Sequence, residues 1–451
     1  MTAVSLSGGG DNLEQHATGT IRHRVTDLPS PFEFSPVKLV YGGDALGYHA
    51  GRTVLVPRLL PGERTEVEEV RTRKGVVHAR PVRILEASRE RVEAACPYFG
   101  RCGGCQYQHL APESQTAAKV QILRETLRRL GRVNWEAEIP THSGPAWNYR
   151  NQAQLKVGRP RGDNPELGFF EAESNRLISV DACPILSPRL NALLQELRGQ
   201  SWAEPLAKCR EVELLADDRD ENVMLTLRGS WNPEEAEMLA SRCLTELAGV
   251  ATVAIEQNSG LRIFGERHLT YHVGEWAYRV SPMVFFQSPR FLLPELVAAV
   301  ASEESGTVAI DLFAGVGLFT LPLAQRFERV IAVESHPQAV ADLAADARSA
   351  PGGNIRAVAE TAFDFLRRCA QAGPDLVVMD PPRAGVGVAT LKLLVALGPK
   401  RLHYVSCSPP TLARDLGFLL QQGYRLDALE MFDFFPQTYH IESLARLSRR
   451  G

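Results

Sequence analysis

TVAIDLFAGVGLFTLPLA, residues 307–324, is the stretch whose reading decides the fold. An apolar, β-branched run ends at Asp311, and Gly315-Val316-Gly317 then opens a helix-like segment, so the text reads as strand, glycine turn and helix. Glycines at such a turn let backbone approach a ligand at the helix N-terminus. The third glycine of the dinucleotide fingerprint would fall at Thr320, which disfavours NAD. The alternation continues through RVIAVE (329–334), PQAVADLAADARS (337–349), DLVVMDPP (375–382), TLKLLVALG (390–398) and RLHYVSC (401–407). Strands and helices in strict succession predict an α/β, doubly wound, Rossmann-like domain over residues 285–451.

Outward from there, a chain of 451 residues has room for about three domains. Residues 1–33 are rich in Gly, Ser, Thr and Asp with no basic start or apolar core, which reads as a disordered tail rather than a signal peptide. Over 34–93, short alternating runs broken by Gly43-Asp44 and Pro61-Gly62 predict a small antiparallel β-barrel. Over 94–284 mixed strands and helices predict an α+β domain, with an amphipathic, basic helix over 112–132. The multidomain chain is 44% hydrophobic and 23% charged, values of a globular protein in water, and no run approaches the roughly 18 apolar residues of a membrane span. Eight cysteines in so long a chain point to reduced thiols in the cytoplasm rather than a disulfide framework. A net charge of −3 argues against a uniformly basic binder. Locally, however, Arg71, Arg73, Lys74, Arg80, Arg83, Arg89 and Arg91 face only Glu86 and Glu90, either a solvated face or a surface that tracks phosphates.

Three features carry chemistry. Glu334 closes the strand after the glycine turn, where a carboxylate can bond ribose hydroxyls, and Asp380-Pro381-Pro382-Arg383 closes a later strand on the ligand edge. Together with Gly315 and Gly317 they resemble class I S-adenosylmethionine-dependent methyltransferases. Cys407 ends the strand RLHYVS on the same edge. Carbon 5 of uracil is a poor nucleophile, and a thiolate adding at carbon 6 would create the enolate that attacks a methyl sulfonium. A base must then remove the carbon 5 proton, and Glu442 is the one carboxylate in the apolar and aromatic segment FPQTYHIESL, where desolvation would raise its pKa. The plainer readings are a buried structural cysteine and an exposed glutamate on the last helix. The third feature, Cys96-x5-Cys102-x2-Cys105, is spaced for zinc or an iron–sulfur centre.

With those residues in view, the chain resembles the RNA 5-methyluridine methyltransferases from about residue 34 onward. LVPRLLPGER resembles the family's RNA-binding TRAM barrel, and CPYFGRCGGCQYQHL its 4Fe-4S segment, with Cys183 implied as fourth ligand beside Cys96, Cys102 and Cys105. The resemblance implies S-adenosylmethionine contacts from Gln287, Phe313, Glu334 and Asp380, the nucleophile at Cys407 and the base at Glu442. It implies that the helix over 112–132 packs on the catalytic domain. The family's pattern is broken at Ser408, usually Asn, at Pro410 and at Pro289.

The expected function is methylation of uridine carbon 5 in structured RNA, 23S ribosomal RNA first because the cysteine motif leans that way, by a monomer. A transfer RNA uridine enzyme, an enzyme methylating a base nitrogen, which would not need Cys407, and a non-catalytic RNA-binding factor are the alternatives. The spacing of the three cysteines differs from that of radical enzymes, so the cluster is expected to be structural or RNA-facing. Cys209, Cys243 and Cys369 read as core or incidental residues.

Overall fold

The continuous apolar runs become the interior strands of an eight-stranded sheet. A computed structural model describes residues 31–158, 165–258, 260–287, 289–301, 304–369 and 373–450. In spatial order the sheet holds Ile355–Ala359, Phe327–Glu334, Gly306–Leu312, Leu376–Met379, Arg401–Ser406, Glu442–Arg449, Tyr424–Asp433 and Thr141–Ser143. The first five are mutually parallel, and Glu442–Arg449 runs antiparallel between Arg401–Ser406 and Tyr424–Asp433. Helices cover the sheet, so Leu376–Met379 is buried at every position and shows no alternation. Strand order reverses beside Gly306–Leu312, and the crevice for a ligand lies at the carboxyl ends there.

A second sheet, of seven strands, runs Leu177–Ser179, Glu166–Phe170, Gln152–Gly158, Cys209–Ala216, Val223–Gly229, Val250–Gln257, Gly260–Gly265. Its apolar face buries against the helices Pro188–Leu197 and Pro233–Glu246 in a core of its own. Cys209 and Cys243 belong to that core, as expected of small hydrophobes, and Cys369 packs at the edge of another.

Residues 32–86 form a third sheet of six strands, in which Arg52–Pro57 and Val76–Glu86 pair in parallel and the other neighbours antiparallel. One parallel pair departs from the all-antiparallel expectation. The tail expected over 1–33 lies outside the described residues up to residue 30, and its end is not a tail: Phe32–Phe34 is a strand paired with Arg64–Arg73. Phe32 and Phe34 are both buried, which anchors that strand.

Two pieces of the span 94–284 lie on the eight-stranded sheet. Thr141–Ser143 is its edge strand, parallel to Tyr424–Asp433. The hairpin Leu269–Val273/Trp276–Val280 buries Tyr271 and Tyr278 in the core formed with Leu296, Leu318 and Phe434. A two-stranded hairpin cannot bury its own apolar face and packs on a larger neighbour.

The helix Pro112–Thr126 also crosses over, and continues as a π-turn through Leu127–Gly131. Its buried face is only partly apolar, since Gln115 and Lys119 lie there with Ile122 and Leu123. Lys119 is fully buried and its Nζ donates to Asp433 Oδ1 at 2.7 Å and to the Phe435 carbonyl at 2.9 Å. Gln115 and Gln437 exchange two hydrogen bonds, of 2.9 and 2.7 Å. At the far end Gly131 is required, because a Cβ there would sit 2.2 Å from the Ala413 carbonyl oxygen.

The Lys119–Asp433 pair is a buried charge pair whose members need each other. Lys119→Ala should destabilise the protein by about 3–5 kcal/mol, because it strands a buried carboxylate. Lys119→Met with Asp433→Leu should recover most of that loss. Urea unfolding of the three proteins decides it, and a single variant within 1 kcal/mol of wild type, a loss well below the ~3 kcal/mol expected, would contradict the assignment.

Candidate active site

Sheet register sets the site. Leu312 pairs with Val333 on one side and Met379 on the other, and Met379 pairs with Tyr404. One residue further along each strand stand Phe313, Glu334 and Asp380, a row on the carboxyl edge. Ser406 pairs with Ser443 in the antiparallel neighbour, so Cys407, one step beyond, comes opposite Glu442. The sequence placed Glu442 either as a base or as an exposed residue on a last helix. It opens a strand instead and is 1% exposed.

Burial dominates the electrostatics. Desolvation pushes Glu442 well above the ordinary carboxylate range, neighbouring Asp380 adds to the rise, and the Arg383 guanidinium opposes it. Asp380 is itself raised to about 6 by burial, against a hydrogen bond of 3.1 Å from Gln287 Nε2. Cys407 is pushed up to about 12 by burial and by Glu442 and Asp380, with Arg383 again the opposing cation. Without a ligand the thiol is therefore neutral, and Arg383 is the side chain that favours a thiolate. Cys407 leads into the helix Pro409–Gln421, where Pro409 and Pro410 occupy the first turn and need no backbone donor. The Ser408 carbonyl accepts from Ser406 Oγ at 3.3 Å and from Thr411 Oγ1 at 3.1 Å. The Ser and Pro departures are thus accommodated in the turn.

Beside this pair the crevice is bounded by Glu334 and the Gly315 turn. Glu334 Oε2 accepts from the Gly315 amide at 3.0 Å, and its Oε1 accepts from the His336 amide at 2.7 Å, so the carboxylate is held at the strand's end. Gly315 adopts φ +55° and a Cβ there would meet nothing within 4 Å, which leaves a backbone cradle with room above it. Gly317, at φ +97°, serves packing instead, since its Cβ would lie 2.4 Å from Leu343 Cδ1. Phe313 also holds a positive φ, +63°. Asp311, buried behind the row, is raised to about 7 by desolvation, and its Oδ1 has no partner among the described residues.

The four cysteines of the proposed centre are gathered from two loops. Burial pushes Cys105 up to about 12 and Cys183 up to about 11, and the neighbouring cysteines add to both rises. The loop is fixed to the second sheet by Gly103, whose amide donates to the Phe170 carbonyl at 3.0 Å, and by Tyr98, whose hydroxyl donates to Asp181 at 2.8 Å. The Gly104 amide points at Cys102 Sγ at 3.5 Å, and amides of Ile185 and Leu186 favour the Cys183 thiolate. Among the described residues no three of these or other ligand-type groups converge as tightly as one metal ion would require. Four thiols with backbone donors beside them are a donor set for zinc and for an iron–sulfur centre alike.

Comparison with known proteins shows the family of the chain. The model of the tRNA (uracil-5-)-methyltransferase family matches residues 112–450. The chain belongs to that family. This makes it an RNA methyltransferase acting on carbon 5 of uracil. It is 34% identical over 426 residues to an uncharacterised RNA methyltransferase of Aquifex aeolicus, covering 92% of this chain and 98% of that one. It is 34% identical over 450 residues to the 23S rRNA (uracil(1939)-C(5))-methyltransferase RlmD of Alkalilimnicola ehrlichii, covering 93% and 97%. The Pyrococcus abyssi tRNA (uracil-54, C5)-methyltransferase, solved with S-adenosyl-L-homocysteine, shares the fold at a TM-score of 0.71 and 23% identity, covering 92% of this chain and 100% of that one.

For this member of the family, the basic stretch on the N-terminal sheet needs revision. Arg71 pairs with Glu173, Arg80 with Glu68, Arg83 with Glu66 and Arg91 with the buried Glu63. Counting along the chain missed these glutamates because three of them stand on or beside the neighbouring strand, Arg64–Arg73, rather than next in sequence. Arg73 and Lys74 are exposed at the hairpin tip. The sequence reading also missed Tyr41, Tyr439 and His440 at the rim, and quoted Arg383 without giving it a part. The turn dipeptide Gly42-Gly43 beside Tyr41 and the unusual aromatic density of 434–440 were the available signals.

Asp311 and Asp380 give the ligand-free protein a pH signature. Both have folded pKa values above the ordinary aspartate value, so the stability they carry is complete below about pH 4 and is lost as pH rises through about 6 to 7. Asp311→Asn should flatten the fall of Tm between about pH 4 and pH 7. Differential scanning fluorimetry across that window checks this, and an unchanged slope would contradict it.

Proposed function

We propose that this protein transfers the methyl group of S-adenosylmethionine to carbon 5 of a uridine in 23S ribosomal RNA, through a covalent adduct between Cys407 and the base. The observation that carries the reading is the register that brings Cys407 opposite Glu442 at the crevice formed by Glu334, Asp380 and the Gly315 turn. Ribosomal RNA is favoured because two relatives of 34% and 35% identity, in Alkalilimnicola ehrlichii and Cronobacter sakazakii, bear the name of a 23S rRNA enzyme and align over nine-tenths of the chain. The transfer RNA alternative rests on the name of the matching family and on a likeness of fold at lower identity.

Bound S-adenosylmethionine supplies an electrophilic methyl group. Glu334 would hold its ribose, Gly315 and Phe313 would line its cradle, and Gln287 and Asp380 would face its reacting end. Cys407 gives up its thiol proton to solvent and its sulfur forms a bond to uracil carbon 6, which moves the electron pair of the 5,6 double bond toward carbon 5 and the carbonyl. Arg383 offsets the negative charge of the thiolate while it attacks. After carbon 5 has been methylated, Glu442 takes the proton that carbon 5 still carries, the 5,6 double bond re-forms and the sulfur leaves as thiolate. A glutamate with a raised pKa is suited to that step, because once charged it holds a proton strongly. The same burial that raises it keeps the crevice free of competing water.

In this reading the six-stranded N-terminal sheet, over 32–86, is the TRAM-type RNA-binding barrel, and Cys96, Cys102, Cys105 and Cys183 hold a 4Fe-4S cluster. The cluster would cross-link the loop 96–105 to the loop at Cys183, a closure over a long stretch of chain that a metal centre stabilises.

Glu442→Gln should permit thiol addition and methyl transfer but stall proton removal. A methylated enzyme–RNA adduct should then survive denaturing electrophoresis, while Cys407→Ala should give neither adduct nor product. A Cys407→Ala enzyme with full activity overturns the covalent mechanism and favours methylation of a base nitrogen.

Protein prepared without oxygen should carry roughly four irons and four sulfides, the content of one cubane cluster. Cys183→Ser should lose most of the iron. Stoichiometric zinc without sulfide would decide against the cluster.

A further inference from the structure

The N-terminal sheet does not stop at RNA binding in this fold: one of its turns enters the active site. The strands Lys38–Leu39 and Asp44–His49 are joined by Val40-Tyr41-Gly42-Gly43, closed by the Gly43 amide to the Val40 carbonyl at 3.1 Å. Gly42 and Gly43 take φ +110° and +100°, a conformation glycine adopts without the Cβ clash. Gly43 has a second constraint, since a Cβ there would lie 2.8 Å from Gln106 and 3.8 Å from Tyr439. The two glycines therefore let the turn press against the cysteine loop and the segment that precedes Glu442. Tyr41 is what this approach delivers. Its hydroxyl donates to the Cys407 carbonyl at 3.5 Å, and its ring meets Tyr439 edge-on, with centroids 5.3 Å apart. Tyr439 in turn packs on His440 at 4.4 Å, and His440 Nδ1 lies 3.5 Å from Arg383 Nη2.

We infer that Tyr41 is a positioning residue for the nucleophile: it braces the Cys407 backbone from the N-terminal sheet, so that the thiol is correctly aimed only when that sheet is docked. The inference rests on Cys407 being the nucleophile. Cys407 follows the last hydrogen-bonded residue of its strand, and its carbonyl lies outside the ladder that holds Ser406. A turn residue with a free carbonyl can rotate, and rotation swings the thiol away from carbon 6. A hydrogen bond from Tyr41 opposes that rotation, and the ring contact with Tyr439 holds Tyr41 in place. Tyr41 and Tyr439 are each partly buried at the rim, where RNA would arrive. The device links occupation of the RNA-binding sheet to the geometry of attack, by a route separate from phosphate contacts.

The test uses the full-length enzyme and an RNA fragment carrying 5-fluorouridine at the target position. Fluorine takes the place of the proton that Glu442 removes, so the adduct cannot be released and its rate of formation reports attack and methyl transfer alone. Tyr41→Phe, which keeps the ring and deletes the hydroxyl, should slow adduct formation at saturating RNA by roughly threefold to tenfold, the range expected for one neutral hydrogen bond. RNA Kd and Tm should remain as in wild type. Tyr41→Leu, which deletes the ring as well, should slow it further. Tyr41→Phe with the wild-type rate, or with a loss that lies wholly in RNA affinity, overturns the bracing. Cys407→Ala run alongside must give no adduct; if it does form product, the covalent mechanism fails, a result distinct from failure of the Tyr41 inference.

Discussion

The pairing of Glu442–Arg449 with Arg401–Ser406 is the constraint on which the site depends. These two strands meet in antiparallel register through six successive partners, from Arg401 with Ser448 to Ser406 with Ser443. A slip of one residue would send every side chain of the inserted strand to the other face. Glu442 would then leave the crevice and a serine would face Cys407. What prevents the slip is burial on both faces: Leu444, Ala445 and Leu447 are each at most 1% exposed, and they pack into two different cores. The register is therefore set by apolar packing several residues away from the chemistry, and not by contacts that the reacting side chains make themselves.

They have few. Glu442 Oε1 and Asp311 Oδ1 are buried with no hydrogen-bond partner among the described residues, and burial raises the pKa of Asp380, Asp311, Glu442 and Cys407 together. Unsatisfied acidic groups clustered in one crevice cost stability. The cost marks a surface shaped for something that is not protein. Ribose hydroxyls and a sulfonium are the kind of ligand that would relieve it, as donors and as positive charge. Arg383 opposes the rise at both Cys407 and Glu442, and it lies in the same tetrapeptide as Asp380.

Much of this was legible in the sequence, for identifiable reasons. The catalytic sheet has long apolar strands at a helical spacing, and its ligand edge carries residues that strand periodicity alone would not place there, such as Glu334, Asp380 and Cys407. Glu442 could be singled out because a lone carboxylate among FPQTYHI is costly unless used. Its strand, by contrast, was not legible: an element that inserts between two others is defined by partners remote in sequence. The same limit explains the basic stretch 71–91, whose compensating glutamates lie across the ladder, and the edge strand Thr141–Ser143, which is too short to show a period. Tyr41 was invisible because its significance lies in a contact with a residue 366 positions away.

The segment just before Glu442 is where the separate parts of the chain meet. The Gln437 carbonyl accepts from the amides of Gln106 and Tyr107, next to the cysteine motif, and Gln437 itself is held at a positive φ of +68° by two bonds with Gln115. The Pro436 carbonyl accepts from Tyr149, which precedes the strand Gln152–Gly158, and Lys119 fixes Asp433 and Phe435. Tyr41 reaches Tyr439 from the N-terminal sheet. A non-glycine residue in the left-handed region persists only where its surroundings over-determine it, and here a helix and the cysteine loop do so at Gln437 itself, with contacts from Tyr149 and from the N-terminal sheet on either side of it. It follows that the approach to the base is not a property of the catalytic sheet alone. Any change that loosens the cysteine loop, the helix over 112–131 or the N-terminal sheet acts on Glu442, the residue proposed to remove the carbon 5 proton, which gives a physical reason for a methyltransferase domain of this kind to carry its accessory domains in one chain.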